Sequence, residues 1–306
     1  MNLFAPPELI RTEVFARVPD HLRRPRRTEW SDVILGGREV DCFLEGPSFD
    51  KDGNLYVVDI PYGRIFRISP QGEFDVVAEY DGHPNGLKIR NDGQIFVADH
   101  KNGVMHLDPA TGAVTPHFTR RRLEPFKGCN DLVFASNGDI YFTDQGQTGL
   151  QDPSGRVYRL TPNGHLDAVL EGIPSPNGLV FSPDERILYL AVTRDNAVWR
   201  LPMMPDGGFA RVGVFIQLSG GLAGPDGLAM DQAGNLAVAH AGLGVVWLFS
   251  RLGEPIYRIQ SSEGLYTTNL AYGGAEGKHV FITESDSGTI LRAELQVPGR
   301  AMYSHM

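Results

Sequence analysis

A short phrase of polar and apolar positions recurs six times along this chain. Its clearest copy runs from Asn130 to Asp144. There a polar residue leads into the apolar stretch Leu132-Val133-Phe134, a turn at Asn137-Gly138, a second apolar stretch Ile140-Tyr141-Phe142, and a polar end. The same order runs from Glu45 through Gly53 to Asp59, from Asn85 through Gly93 to His100, from Asn177 to Ala191, from Asp226 through Gly234 to His240, and from Asn269 to Glu284. The copies start at positions 45, 85, 130, 177, 226 and 269, so neighbouring starts lie 40, 45, 47, 49 and 43 residues apart. Apolar runs this short, bounded by turn residues, predict strands. Behind the first copy, Gly63–Ile68 and Asp75–Glu79 add two more strand patterns, and Gly155–Leu160 and Leu166–Leu170 do so behind the third. Four strands per period of this length is the size of a propeller blade. The expectation is an all-β, six-bladed β-propeller spanning 1–306 as one domain.

A ring must close or leave edges unpaired. The last copy runs out near Ile290–Leu295 with three strands, while Glu13–Val18 forms a spare strand at the other end of the chain. The N-terminal strand is therefore predicted to complete blade six from outside. The segment 19–42, with Trp30 and Val33-Ile34-Leu35, is left to pack on the propeller. Helical repeats are excluded by the frequency of Gly and Pro, 36 and 21 residues, which break a 3.6-residue period.

The first strand of each blade lines the central channel, and all six run the same way. Their first residues, Glu45, Asn85, Asn130, Asn177, Asp226 and Asn269, are then expected at one height around one mouth. All bear oxygen, and two are carboxylates. Burying two carboxylates together requires a compensating cation. A donor set of carboxylates and amides suits one hard divalent ion, Ca²⁺ first, with Mg²⁺, Mn²⁺ or Zn²⁺ as alternatives. Asn-Gly and Asp-Gly also form turns, but Glu45 is a poor turn residue. The second strands return to the same mouth, so their ends, Asp59, His100, Asp144, Thr193, His240 and Glu284, are expected to rim it. Lys127, on the loop entering blade three, is the basic candidate for binding substrate oxygen.

The balance of 28 Lys and Arg against 37 Asp and Glu gives a net charge of −9, which excludes a general nucleic-acid role. Arg23–Arg27 and Arg120–Arg122 are short basic runs of the kind that solvated or salt-bridged loops carry. No apolar run is long enough to span a membrane. Two cysteines, Cys42 and Cys129, without a disulfide framework suit a cytoplasmic setting. Neither has a histidine partner in sequence, so both are expected to be packed neutral thiols.

The chain resembles the SMP-30/gluconolactonase/luciferin-regenerating family, from about Glu45 to Glu284. The resemblance rests on Glu45-Gly46-Pro47, Asn85-Gly86-Leu87, Asn130-Asp131-Leu132 with Tyr141-Phe142-Thr143-Asp144, Pro176-Asn177-Gly178-Leu179, Pro225-Asp226-Gly227-Leu228 and Thr268-Asn269-Leu270, in this order and spacing. It implies a catalytic divalent metal on Glu45, Asn177 and Asp226, with Asn130 joining the metal or holding substrate. It implies a hydrolase that opens a small lactone, mostly of the aldonolactone type, with phosphotriesterase relatives. The metal would polarise the carbonyl, and Asp226 or the ion itself would activate the attacking water. A substrate-binding Arg commonly stands two residues before the blade-three Asn. Here that place is Gly128, with Lys127 one further back. Asn85, Asn130, Asn269, His100 and Lys127 make up the substrate-binding expectation, for a small-molecule lactone. A phosphotriesterase-like hydrolase on the same metal site and a non-catalytic small-molecule-binding propeller are the alternatives.

Overall fold

The computed structural model describes residues 4–274 and 276–306. Six antiparallel four-stranded sheets stand around an axis, each in simple up-and-down order. Blade one is built from Leu44–Phe49, Leu55–Asp59, Arg64–Ile68 and Phe74–Glu79. The inner strands of the other blades are Pro84–Ile89, Cys129–Phe134, Pro176–Phe181, Gly224–Met230 and Thr267–Gly273. The recurring phrase is therefore the inner hairpin of each blade. Its apolar residues alternate between the two faces of a sheet, and both faces are covered by neighbouring blades. The core accordingly divides into six apolar clusters, one at each blade-to-blade interface. Blades one and two, for example, meet through Val58, Ile65, Leu87 and Val97.

The ring closes as the sequence predicts. Glu13–Arg17 pairs antiparallel with Thr289–Glu294 as the outer strand of blade six. Val18 lies just past the strand, and its N–H still donates to the Gly288 carbonyl at 2.9 Å. The chain adds a pairing that the pattern does not announce. Glu8–Arg11 runs parallel to Pro255–Gln260 and becomes a fifth strand of blade five. The N-terminal residues thus staple two blades together across the closure point.

The segment 19–42 folds back over the mouth. A capping box holds its short helix, Glu29–Ile34: the Ser31 N–H donates to Thr28 Oγ1 and the Thr28 N–H to Ser31 Oγ. Trp30 is buried against Tyr56, Val58 and Ile60 of blade one. The Arg23–Asp41 ion pair (2.8 Å) and Tyr62, whose hydroxyl contacts the Val40 carbonyl at 2.7 Å, tie the segment down. At the opposite end of the channel the C-terminal residues form a plug. Tyr303 stacks on Phe134 and the Ser304 hydroxyl donates to the Phe49 carbonyl at 3.0 Å. The basic runs are surface features, with Arg121 paired to Glu171. Among the described residues, no helix is long and apolar enough to cross a membrane.

Candidate metal centre

In every blade the pairing of the first two strands slips at the same point. The irregularity falls between Glu45 and Ser48, Pro84 and Gly86, Cys129 and Leu132, Pro176 and Leu179, Pro225 and Leu228, and Thr267 and Asn269. A bulge frees one residue from the ladder and re-aims its side chain. In blades two to six the skipped residues include the polar one, Asn85, Asn130, Asn177, Asp226 or Thr268, whereas in blade one Glu45 still pairs with Val58 and the slip follows it; all six line the channel cavity.

The bulges also fix the equivalence between blades. Leu87, Leu132, Leu179, Leu228 and Leu270 occupy one ladder position, opposite Val97, Phe142, Leu190, Val238 and Ile282. Two residues earlier stand Asn85, Asn130, Asn177, Asp226 and, in blade six, Thr268. The expectation of Asn269 in the ring is thus corrected by one residue. Asn269 occupies the place that Gly holds in blades two, four and five, one layer deeper in the channel. It is equivalent to Asp131, and the two make matching contacts: the N–H groups of Asp131 and Asn269 donate to Thr143 Oγ1 and Thr283 Oγ1 at 3.0 and 2.9 Å. These deeper side chains lean onto neighbouring inner strands. A Cβ on Gly86 would lie 2.5 Å from Asp131 Oδ1, so that glycine is demanded by close approach.

A cavity of about 540 Å³ opens above the ring, and Glu45, Asn85, Asn130, Asn177, Asp226 and Thr268 all line it. Glu45 is 4% exposed and Asn177 5%, whereas Asp226 keeps part of its surface open to the cavity. Glu45 Oε2 accepts from the Gly46 N–H and from Asn269 Nδ2, both at 2.8 Å. Asn269 therefore orients the glutamate instead of meeting the cavity. Asn130 donates its amide N–H to Gln145 Oε1 at 2.8 Å, and Gln145 donates on to Ser175 Oγ. Asn177 donates to Thr193 Oγ1 at 3.2 Å. With their N–H groups committed, both amides have an oxygen left to offer.

The electrostatics mark the same point. Burial pushes the Glu45 carboxyl up to about 7. Burial and then the Glu45 charge push Asp226 well above its ordinary range, against the Asn177 amide, which favours the ionised form. A third acid, Asp131, lies one layer below, with Lys88 Nζ at 3.5 Å. The lysine compensates Asp131, and Glu45 and Asp226 have no ion-pair partner among the described residues. Two acids and two amides with free oxygens match the donor chemistry of a hard divalent cation, so the residues fit one. No group of three or more His, Cys, Asp and Glu is clustered for a metal among the described residues; the set here is half amide.

Other expected residues fall elsewhere. Lys127 is exposed, with Nζ donating to Ser154 Oγ at 2.7 Å, and lies outside the cavity lining. Of the expected rim, only His100 and Thr193 line the cavity. Asp59, Asp144 and Glu284 are fully buried and accept the backbone N–H groups of Phe43, Gly128 and Tyr266. Each of these N–H groups stands two residues before a ring position, so the acids hold the strand entries in place. Asp99 does the same for His83 in blade two. His240 is buried against the Gly220 carbonyl and Trp247. Gly128, with φ near 152°, is overlain by the His100 ring, which leaves no room for a side chain there. Burial holds His100 below its usual pKa and hence neutral. Cys42 and Cys129 are buried and unpaired, and burial raises both thiols.

Several cavity residues carry no signal in the repeat. Arg194 sits on the short 3₁₀ turn after the second strand of blade four, and its charge acts on Asp226. Gln145, Gln147 and Gln151 come from the long loop after Asp144. Thr268 was legible in principle, because aligning Leu270 with the other four leucines places it in the ring.

Residues 43–286 match the model of the SMP-30/gluconolactonase/LRE-like region. A gluconolactonase of Zymomonas mobilis is 30% identical over 286 residues, covering 82% of this chain and 78% of the relative. The lactonase drp35 of Staphylococcus aureus is 31% identical over 246 residues, covering 75% and 72%. Among solved structures, the calcium-binding protein regucalcin of Agrobacterium tumefaciens superposes with a TM-score of 0.78 at 23% identity, covering 98% of this chain and 99% of that one. The inner-strand phrases, the six bulges and these matches together show that the chain belongs to the SMP-30/gluconolactonase/LRE-like family.

Proposed function

We propose that this protein hydrolyses lactones with the help of one divalent cation, Ca²⁺ first, held by Glu45, Asn177 and Asp226 with Asn130 beside them. The observation that carries the reading is the pair of mutually repelling carboxylates, Glu45 buried and Asp226 partly open, without an ion-pair partner among the described residues, on the floor of an open cavity. The gluconolactonase and lactonase relatives, at 30% and 31% identity, support the same chemistry. When bound, the ion supplies a Lewis acid for the ester carbonyl.

The chain's own residues supply the rest. Asn269 and the Gly46 N–H fix Glu45 in one orientation. Asp226 is open to the cavity and is placed to take a proton from the attacking water. Water adds to the carbonyl carbon, the ring C–O bond breaks, and the released alkoxide takes up a proton to give a hydroxy acid. Asn85, Asn130, Gln145 and Arg194 offer hydrogen bonds to ring hydroxyls, which favours a sugar-type lactone. His100, neutral and packed over Gly128, shapes that wall. Lys127, turned outward, has no part in it. The buried free thiols suit the reducing interior of a cell.

The test is a pH-indicator assay on chelator-stripped protein with glucono-δ-lactone and simple γ-lactones, before and after restoring Ca²⁺, Mn²⁺ or Zn²⁺. Hydrolysis should vanish on stripping and return with metal. Unchanged hydrolysis after stripping removes the metal from the proposal, and no hydrolysis of any lactone under any metal removes the activity.

A further inference from the structure

The two sides of the cavity differ in chemistry. Toward blades three and four its wall is mostly polar, made by Gln145, Gln147, Gln151, Ser175, Thr193 and Arg194 with Leu150 among them, and Leu222 lies beyond it toward blade five. Toward blades one and six it is apolar. There Trp30, Ile34 and Leu35 descend from the helical segment, Phe43 and Ile60 come from blade one, and Tyr266 from blade six. The aromatic members form a continuous run: the Trp30 and Phe43 rings lie 4.8 Å apart and Phe43 and Tyr266 6.5 Å. Ile34 is 40% exposed at the mouth.

This wall is built, not incidental. The capping box, the Arg23–Asp41 pair and the burial of Trp30 all serve to hold a six-residue helix at this edge. Lone exposed apolar residues are ordinary on protein surfaces, but a contiguous apolar face inside a concave site is the usual mark of a ligand subsite. The wall also shares its cavity with the ring. A substrate with its ester carbon beside Asp226 would have to direct any group on the blade-one side across Phe43 and Trp30.

We infer that the substrates are amphipathic lactones, whose ring carries an alkyl or aryl substituent that lies on the Trp30–Phe43–Tyr266 wall. The inference rests on the lactonase reading and names its substrate class. Polar groups on the ring face Gln145 and Arg194, and the substituent displaces water from the aromatic face. Burial of a methylene against such a surface improves binding roughly fourfold. Uniform binding of this kind lowers KM and leaves kcat nearly level.

The test is steady-state hydrolysis, by the Ca²⁺-loaded protein, of γ-butyrolactone, γ-caprolactone, γ-octalactone, γ-decalactone and γ-phenyl-γ-butyrolactone. The expected result is a kcat/KM that climbs roughly threefold to fourfold per added methylene over the first members, carried by KM. Ile34→Asp, at a half-exposed helix position, and Tyr266→Ser should each flatten the series, and two separate variants guard against a folding defect in one. Turnover of γ-butyrolactone with a flat or falling series overturns this inference and leaves the lactonase reading standing. No turnover of any member while glucono-δ-lactone, run alongside, is hydrolysed overturns this inference alone; no turnover of glucono-δ-lactone either overturns both.

Discussion

Glu45→Gln separates the structural cost of the site from its function. In the metal-free protein the Glu45 carboxyl titrates near 7, against an ordinary value of 4.5, because burial disfavours its charge. The native state therefore holds a proton between these pH values that the unfolded chain has released. Stability falls as pH rises through this window, is highest below about 4.5, and carries the full penalty above about 7. The rise from 4.5 to about 7 corresponds to about 3 kcal/mol. Glutamine keeps an oxygen to accept from Asn269 and Gly46 but has no charge to bury. It also removes the repulsion on Asp226. The chelated variant should match the wild type near pH 4 and exceed it by up to about 3 kcal/mol near pH 8, or about 5 °C in Tm for a chain of this length. Calcium offsets most of this difference at a hundredfold excess over Kd and reverses the order near a thousandfold excess, where binding adds about 4.1 kcal/mol to the wild type alone. Differential scanning calorimetry in chelator across pH 4–8, then with Ca²⁺, reads all of this. A variant that is less stable than wild type in chelator at pH 8 would refute the reasoning, as would a difference that does not change with pH.

Two further perturbations probe the surroundings of the ring. Lys88→Met leaves Asp131 buried without its partner, so the chelated protein should lose roughly 1–3 kcal/mol, while Ca²⁺ affinity rises because a positive charge near the ring is gone; denaturant melts and calcium titration check the two signs. Deletion of residues 1–18 removes both N-terminal strands and unpairs Thr289–Glu294. It should lower Tm far more than deletion of 1–11, which removes only the added strand of blade five, and light scattering should show association through the opened edge.

The blades were legible because the inner hairpins repeat a pattern that simple physics demands: apolar residues for two covered faces, a turn that carries glycine in every blade but the fourth, and a polar residue beside the bulge. The closing strand followed from the need to leave no edge. What stayed hidden depends on contacts rather than on periodicity. Asp131 and Asn269 stand at positions where other blades carry glycine, so only the ladder shows that they point into the channel one layer down. Lys127 looked like a mouth residue by count, but its loop turns the side chain outward to Ser154. The ends of the second strands were expected to rim the mouth, and three of them are instead consumed by backbone N–H groups at the strand entries. Trp30 and Ile34 lie outside the repeat, and nothing in a six-residue helix announces which cavity it will wall.

The proposed chemistry needs a single ion held by Glu45, Asn177 and Asp226 with Asn130 beside them. Isothermal titration of Ca²⁺ into stripped protein at neutral pH tests it directly. One ion bound per chain, with that binding lost in Asp226→Asn while the fold is kept by circular dichroism, is the predicted result. No binding by the wild type, or undiminished binding by Asp226→Asn, would contradict it.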